Sequence, residues 1–125
     1  MEKKKRLPDT ELSVMQAIWE HGDEISRSDI EGVLAEHAWS ANTINTYLTR
    51  LCEKGYLESR REGRSNLYRP LVQKQEYLEF ESRSTLSRLY DGKLKNFIAA
   101  LTAERPLAQE EIDELRRHLD QMSQK

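Results

Sequence analysis

The sequence predicts a mainly α-helical chain, with a winged helix-turn-helix domain carrying a small β-hairpin wing over residues 1–72 and a helical dimerization domain over residues 73–125. Three observations predict it. Three short apolar repeats at helical spacing precede two alternating, aromatic-containing runs, YLESRR and NLYRPLV, and that order of elements is a helix-turn-helix with a wing. From Gln73 onward the pattern is helical only. The charge is also uneven: residues 7–39 hold one basic residue against eight acidic ones, whereas residues 40–72 hold six basic against three acidic, inside a chain of formal charge -2.

Asp9 or Thr10 is the expected cap of a first helix that turns Leu12, Met15, Ile18 and Trp19 inward and stops at His21-Gly22. A brief extended segment follows around Ile25. Ser26 with Asp29 three residues later starts a second helix, expected to bury Ile30, Val33 and Leu34 and to end near His37. Ser40 then caps a third helix, with Trp39 placed to staple against Ile44, and Gly55 closes it at the C′ position. The hairpin turns at Gly63, and Pro70 confines the second strand to an edge or an end.

Beyond the hairpin, Tyr77, Phe80, Leu86, Leu89 and Tyr90 punctuate a charged helix; Leu94, Phe97, Ile98 and Leu101 form a second stripe; Ile112, Leu115, Leu119 and Met122 form a third. Gly92 and Pro106 separate the three helices. So short a segment cannot cover its own stripes, so a second copy is expected to complete the core through Phe80, Leu86, Leu89, Leu94, Phe97, Ile98, Leu101, Ile112, Leu115 and Leu119.

The third helix has an unusual outer face. Ile44, Leu48 and Leu51 align on one side, and the other side carries Asn42, Asn45, Thr46 and Thr49. Asn and Thr are mediocre helix formers, and Glu, Lys or Gln would serve a merely solvated face better. In the major groove, however, Asn can pair with adenine N6 and N7, and Thr can donate, accept or offer its methyl to thymine. Arg50 and Lys54 on the helix, with Arg61 and Arg64 at the wing, would hold phosphates and fix register. Double-stranded DNA is the expected partner. The alternative is a winged-helix module that binds a protein instead, whose signature would be an exposed apolar patch on the third helix or the wing.

Other functions find little support. The single cysteine, Cys52, sits near the apolar face of the third helix as a small hydrophobe and permits no intrachain disulfide. His21, His37 and His118 lack ligand spacing, so no metal or other cofactor is expected. Glu110, Glu111, Asp113 and Glu114 suit the positive end of a helix dipole rather than acid–base chemistry. No nucleophile elbow, phosphate loop or zinc-protease motif occurs, so no enzyme is expected. There is no apolar run of membrane-spanning length, and MEKKKR is followed by LPDTEL rather than an apolar leader core, which makes the cytoplasm the expected location. MEKKKR itself reads as a frayed tail in preference to a groove-binding arm.

The blocks LPDTELSVMQAIWEHG, WSANTINTYLTRLCEKGYLESRREGRSNLYRPLV and LAQEEIDELRRHL, in this order and spacing, resemble the BlaI/MecI penicillinase-repressor family along almost the whole chain. The resemblance implies a homodimer that represses transcription from a palindromic operator. It marks Asn42, Thr43, Asn45, Thr46, Arg50 and Arg64 as DNA-contacting; Ser40 at the start of the helix and Arg61 beside the wing complete the expected set. Where the family reads Trp-Ser-Pro-Lys-Thr this chain has Trp39-Ser40-Ala41-Asn42-Thr43, and Asn45 stands where Lys or Arg is usual, which implies a different operator sequence. Related copper-responsive repressors carry a terminal Cys-x-Cys cluster, absent from these residues, so copper sensing is not expected. A regulatory protease is a further implied partner. The family register puts the matching bond at Ala100-Leu101, where the family's Asn-Phe pair is missing; Asn96-Phe97 lies out of register.

Overall fold

The computed structural model describes residues 6–124. The MEKKKR tail lies outside that range except for Arg6. In chain order the elements are α1 (Asp9–His21), β1 (Ile25–Ser26), α2 (Arg27–Val33) with a 3₁₀ turn at Ala35–His37, α3 (Ala41–Glu53), β2 (Leu57–Glu62), β3 (Ser65–Pro70), α4 (Lys74–Tyr90), α5 (Leu94–Leu101) and α6 (Gln109–Ser123). This is a mainly helical winged-helix fold with one small sheet.

Local signals account for most boundaries. Ser26 accepts a hydrogen bond from the Asp29 N–H at 3.1 Å, and Ser40 does the same for Thr43 at 3.1 Å, so α2 and α3 are each capped by a hydroxyl. Gly55, at φ 83, supplies the left-handed residue that ends α3. The start of α1 differs from expectation: neither Asp9 nor Thr10 caps it. Pro8 occupies the cap position and Asp9 opens the helix, which places acidic groups at the positive end of the dipole instead. The second helix also differs, since Val33 is exposed while Ile30 and Leu34 are buried. After Val33 the chain tightens into the 3₁₀ turn and rotates the next side chains off the α-helical phase.

The hairpin is part of a three-stranded antiparallel sheet in the order β1-β3-β2. The brief segment at Ile25 becomes its outer strand, with Ile25 opposite Tyr68 and Ser26 opposite Leu67. Across the wing Glu62 pairs with Ser65, leaving Gly63-Arg64 as a two-residue turn in which only Gly63 has positive φ, the pattern of a type II′ turn. β3 is central, so Pro70 is tolerated because it is the last residue of the strand.

Two compact units divide between Ser82 and Arg83, past the change in pattern at Gln73. The physical reason is the start of α4. Tyr77 is fully buried in the first unit: its hydroxyl accepts from the Leu7 N–H at 2.9 Å and donates to Glu81 at 2.8 Å, and its ring packs near Trp19, Tyr56 and Phe80. Trp19 in turn donates to the Val72 carbonyl at 2.9 Å. Around these lie Val14, Met15, Ile18, Ile25, Ile30, Leu34, Ile44, Leu48, Leu51 and Leu57. Phe80, expected at a dimer contact, packs against this core.

Burial also makes this core sensitive to alkali. It pushes the Tyr56 phenol up to about 12, with Glu81 and Glu76 adding to the shift. Burial likewise raises Tyr77, the Leu7 N–H partly opposing it. A phenol whose folded value exceeds its unfolded one, about 10, contributes stability that is complete below the unfolded value and is lost as pH rises through the folded one. Urea midpoints should therefore fall between about pH 10 and 12, and Tyr56→Phe should fall less steeply over the same range.

In the second unit the helices keep their stripes largely uncovered. Leu89, Leu94, Leu101, Leu115, Leu119 and Met122 are exposed, while Leu86, Phe97, Ile98 and Ile112 are half-buried. Phe97 meets Tyr90 edge-on at 5.5 Å between centroids. Ile98, Leu101, Thr102, Leu107, Leu115 and His118 line an apolar groove of about 490 Å³. Glu111 begins α6 by accepting from the Ala108 N–H at 3.0 Å. Among the described residues no helix is long and apolar enough to cross a membrane.

Candidate nucleic-acid interface

α3 owes its orientation to its apolar side. Ile44, Leu48 and Leu51 are buried in the first unit, which turns Asn42, Asn45, Thr46, Thr49 and Arg50 outward around one shallow, open depression that Glu53 closes at its far end. Four of the expected DNA-contacting residues, Asn42, Asn45, Thr46 and Arg50, are thereby brought together. Thr49, placed on this outer face by the sequence, lines the depression too, and so does Glu53, which continuing the helical period past Thr49 would have found. Trp39 is held between the His37 ring, stacked at 4.1 Å, and Tyr47, edge-on at 5.1 Å, which steadies the entry to the helix.

The short side chains are not equally free. Ser40 and Thr43 serve the cap: besides the backbone bond, the Ser40 hydroxyl donates to Thr43 Oγ1 at 3.0 Å. The Thr46 hydroxyl donates back to the Asn42 carbonyl at 3.0 Å, leaving its oxygen lone pairs and methyl outward. The Asn45 carboxamide oxygen accepts from Arg27 Nε at 2.8 Å. Among the described residues the Asn42 side chain has no such constraint.

The basic residues divide the same way. Arg60 is taken up by Glu24 and Glu62, and Arg69 by Glu58. Lys54, read from the sequence as a phosphate clamp, instead reaches back to Glu11 on α1 at 2.5 Å, and that carboxylate is only 2% exposed. Moving Lys54 onto a phosphate would leave that buried carboxylate without its counter-ion, so Lys54 is committed at the edge of the core. Among the described residues Arg50, Arg61 and Arg64 are exposed and have no acidic partner. Arg64 sits at the tip of the turn and Arg61 on β2 opposite Asn66. Uncommitted guanidinium groups therefore lie on both the outer helix and the wing, and each could meet a phosphate without first breaking an ion pair.

No large apolar side chain is exposed on α3 or on the β2–β3 hairpin. Cys52 is half-buried against the core, and burial pushes its thiol up, with a hydrogen bond involving Ser59 opposing and Glu53 adding; it behaves as a packed side chain. Ala100 and Leu101 are both exposed and fall in the last turn of α5.

The family model described as "Penicillinase repressor" matches residues 7–121. The penicillinase repressor of Bacillus licheniformis is 36% identical over 97% of this chain and 94% of its own length. The methicillin resistance regulatory protein MecI of Mammaliicoccus sciuri is 28% identical over 88% and 89%. Among solved structures, that of the Bacillus licheniformis BlaI monomeric form in complex with the blaP half-operator superposes with a TM-score of 0.52 at 37% identity, covering 62% of this chain and 94% of that one. With the winged helix, its polar outer face and a match from Leu7 into the last helix all in agreement, the chain belongs to the penicillinase repressor family.

Proposed function

We propose that the protein is a DNA-binding transcriptional repressor, not an enzyme, that reads an operator by laying α3 in the major groove with the β2–β3 wing beside it. The observation that carries this reading is the pairing of the Asn42, Asn45, Thr46 and Thr49 amides and hydroxyls on one helix face with three arginines, Arg50, Arg61 and Arg64, that no carboxylate among the described residues holds. BlaI in its monomeric form binds a half-operator, which supports a division of labour with one half-site for each subunit.

In this proposal the exposed stripes of α5 and α6 are covered by a second copy, so that two α3 helices meet half-sites about one turn of duplex, ~10 bp, or a multiple of it apart. The protein acts in the cytoplasm, where its DNA is. Release by a regulatory protease would require the last turn of α5 to unwind at Ala100-Leu101, because a protease takes its substrate extended.

The deciding experiment is a titration of the purified protein against the promoter of its own gene in the presence of random competitor at physiological salt, followed by footprinting. Protection of a two-fold symmetric site is expected; equal affinity for every duplex would reject the proposal. Arg64→Ala should weaken binding to operator and random DNA alike and reduce the salt slope by about one unit per half-site. Asn42→Ala or Thr46→Ala should instead change the preferred base at particular positions. An Arg64→Ala protein with unaltered affinity and slope would remove the wing from the interface.

A further inference from the structure

We infer that Arg27, at the start of α2, is a positioning residue for base reading: it fixes the direction in which Asn45 presents its carboxamide. The inference rests on the DNA-binding reading above and deepens it. A side-chain amide has an acceptor on one side and donors on the other, and on an open helix face it can rotate to offer either. Asn45 cannot do so freely. Arg27 Nε, 2.8 Å from it, carries only a donor, so the atom turned toward it is the oxygen and the NH2 group faces away.

The guanidinium is itself fixed from three sides. One terminal nitrogen donates to Glu31 at 2.8 Å, the other to the Ala41 carbonyl at 3.2 Å, and Nε to Asn45, leaving the side chain 18% exposed. These contacts join the first turn of α2 to the first two turns of α3. Glu31 neutralises the charge, so Arg27 sits beside the reading face without acting as a free cation. None of the bonds described for Asn42, Thr46 or Thr49 comes from another helix, so Asn45 is the reader whose polarity is set from outside α3.

With the oxygen engaged, Asn45 offers N–H donors to the groove. Bases that present acceptors there, guanine through O6 and N7 and thymine through O4, should be favoured over cytosine, whose exposed group is the N4 donor. Once the amide can rotate, cytosine becomes acceptable, because the oxygen can turn to accept from N4.

The test is selection of half-sites from a randomised duplex pool by the full-length protein, with Asn45→Ala identifying the base position this residue reads. The wild type should discriminate against cytosine there by roughly 10-fold, and Arg27→Met and Arg27→Lys should both reduce that to within about 3-fold while preferences elsewhere persist. Arg27→Lys keeps the charge but lacks the fork that reaches three partners at once. A second readout needs no DNA: in ¹H–¹⁵N spectra of the free protein both variants should move the Asn45 side-chain NH2 resonances and leave those of Asn42 in place. Unchanged cytosine discrimination in both variants would overturn the proposal, as would unmoved Asn45 resonances. So would a uniform affinity loss in Arg27→Met with a salt slope lower by about one unit per half-site and full rescue by Arg27→Lys, the signature of a phosphate contact. If the wild type enriches no sequence at all, the DNA-reading proposal fails and this one with it, an outcome distinct from a wild type that selects while its Arg27 variants select identically.

Discussion

Lys54→Met is expected to destabilise the first unit by about 3 kcal/mol, because it strands the Glu11 carboxylate in the core without its counter-ion. Glu11 is 2% exposed and the lysine side chain 21%, so the pair is open to water only at the lysine end, which keeps the cost near the lower limit for a broken buried pair. The double variant Glu11→Leu/Lys54→Met should recover most of the loss, since replacing both charges by apolar groups removes the desolvation penalty along with the attraction. Urea denaturation of the two variants measures both effects. Because the lysine is already committed, the double variant should bind DNA with an unreduced salt slope. A Lys54→Met protein of wild-type stability whose slope falls by about one unit would return Lys54 to the phosphate-contacting set.

The second large effect is expected from Leu115→Asp/Leu119→Asp. Both side chains lie exposed on α6, at 40% and 49%, so charge placed there leaves the fold of the chain intact while making the stripe unfit to be covered. Sedimentation should give a monomer, with the circular dichroism of the wild type. Operator affinity should drop by about 10-fold or more, through loss of the effective concentration that links two half-sites, while binding to an isolated half-site should hardly change. An intact dimer in the centrifuge would locate the subunit contact elsewhere, and equal losses on whole and half operators would mean that α6 supports the reading head directly.

The elements whose signals are local were legible in the residues themselves. A hydroxyl three residues ahead of a free N–H caps a helix wherever it occurs, so Ser26 and Ser40 could be read directly, as could Gly55 and Gly63, where the backbone needs positive φ. The outer face of α3 was legible for a similar reason: the helical period fixes which side chains share a side, and Ile44, Leu48 and Leu51 leave no doubt about which side is inward.

What the sequence alone determined, then, is the order of elements, the family and the set of groups facing outward on α3. Tertiary structure decided how those groups are employed. It placed Lys54 on Glu11, Arg60 on Glu24 and Arg27 on Asn45, pairs separated by between 18 and 43 positions, and it drew Tyr77 and Phe80 into the first unit. A charged side chain binds whatever opposite charge or polar acceptor the fold brings within about 3 Å, and no periodicity in the chain encodes that meeting. Chain order could say which arginines exist; only their folded neighbours decided that Arg50, Arg61 and Arg64 have no acidic partner among the described residues.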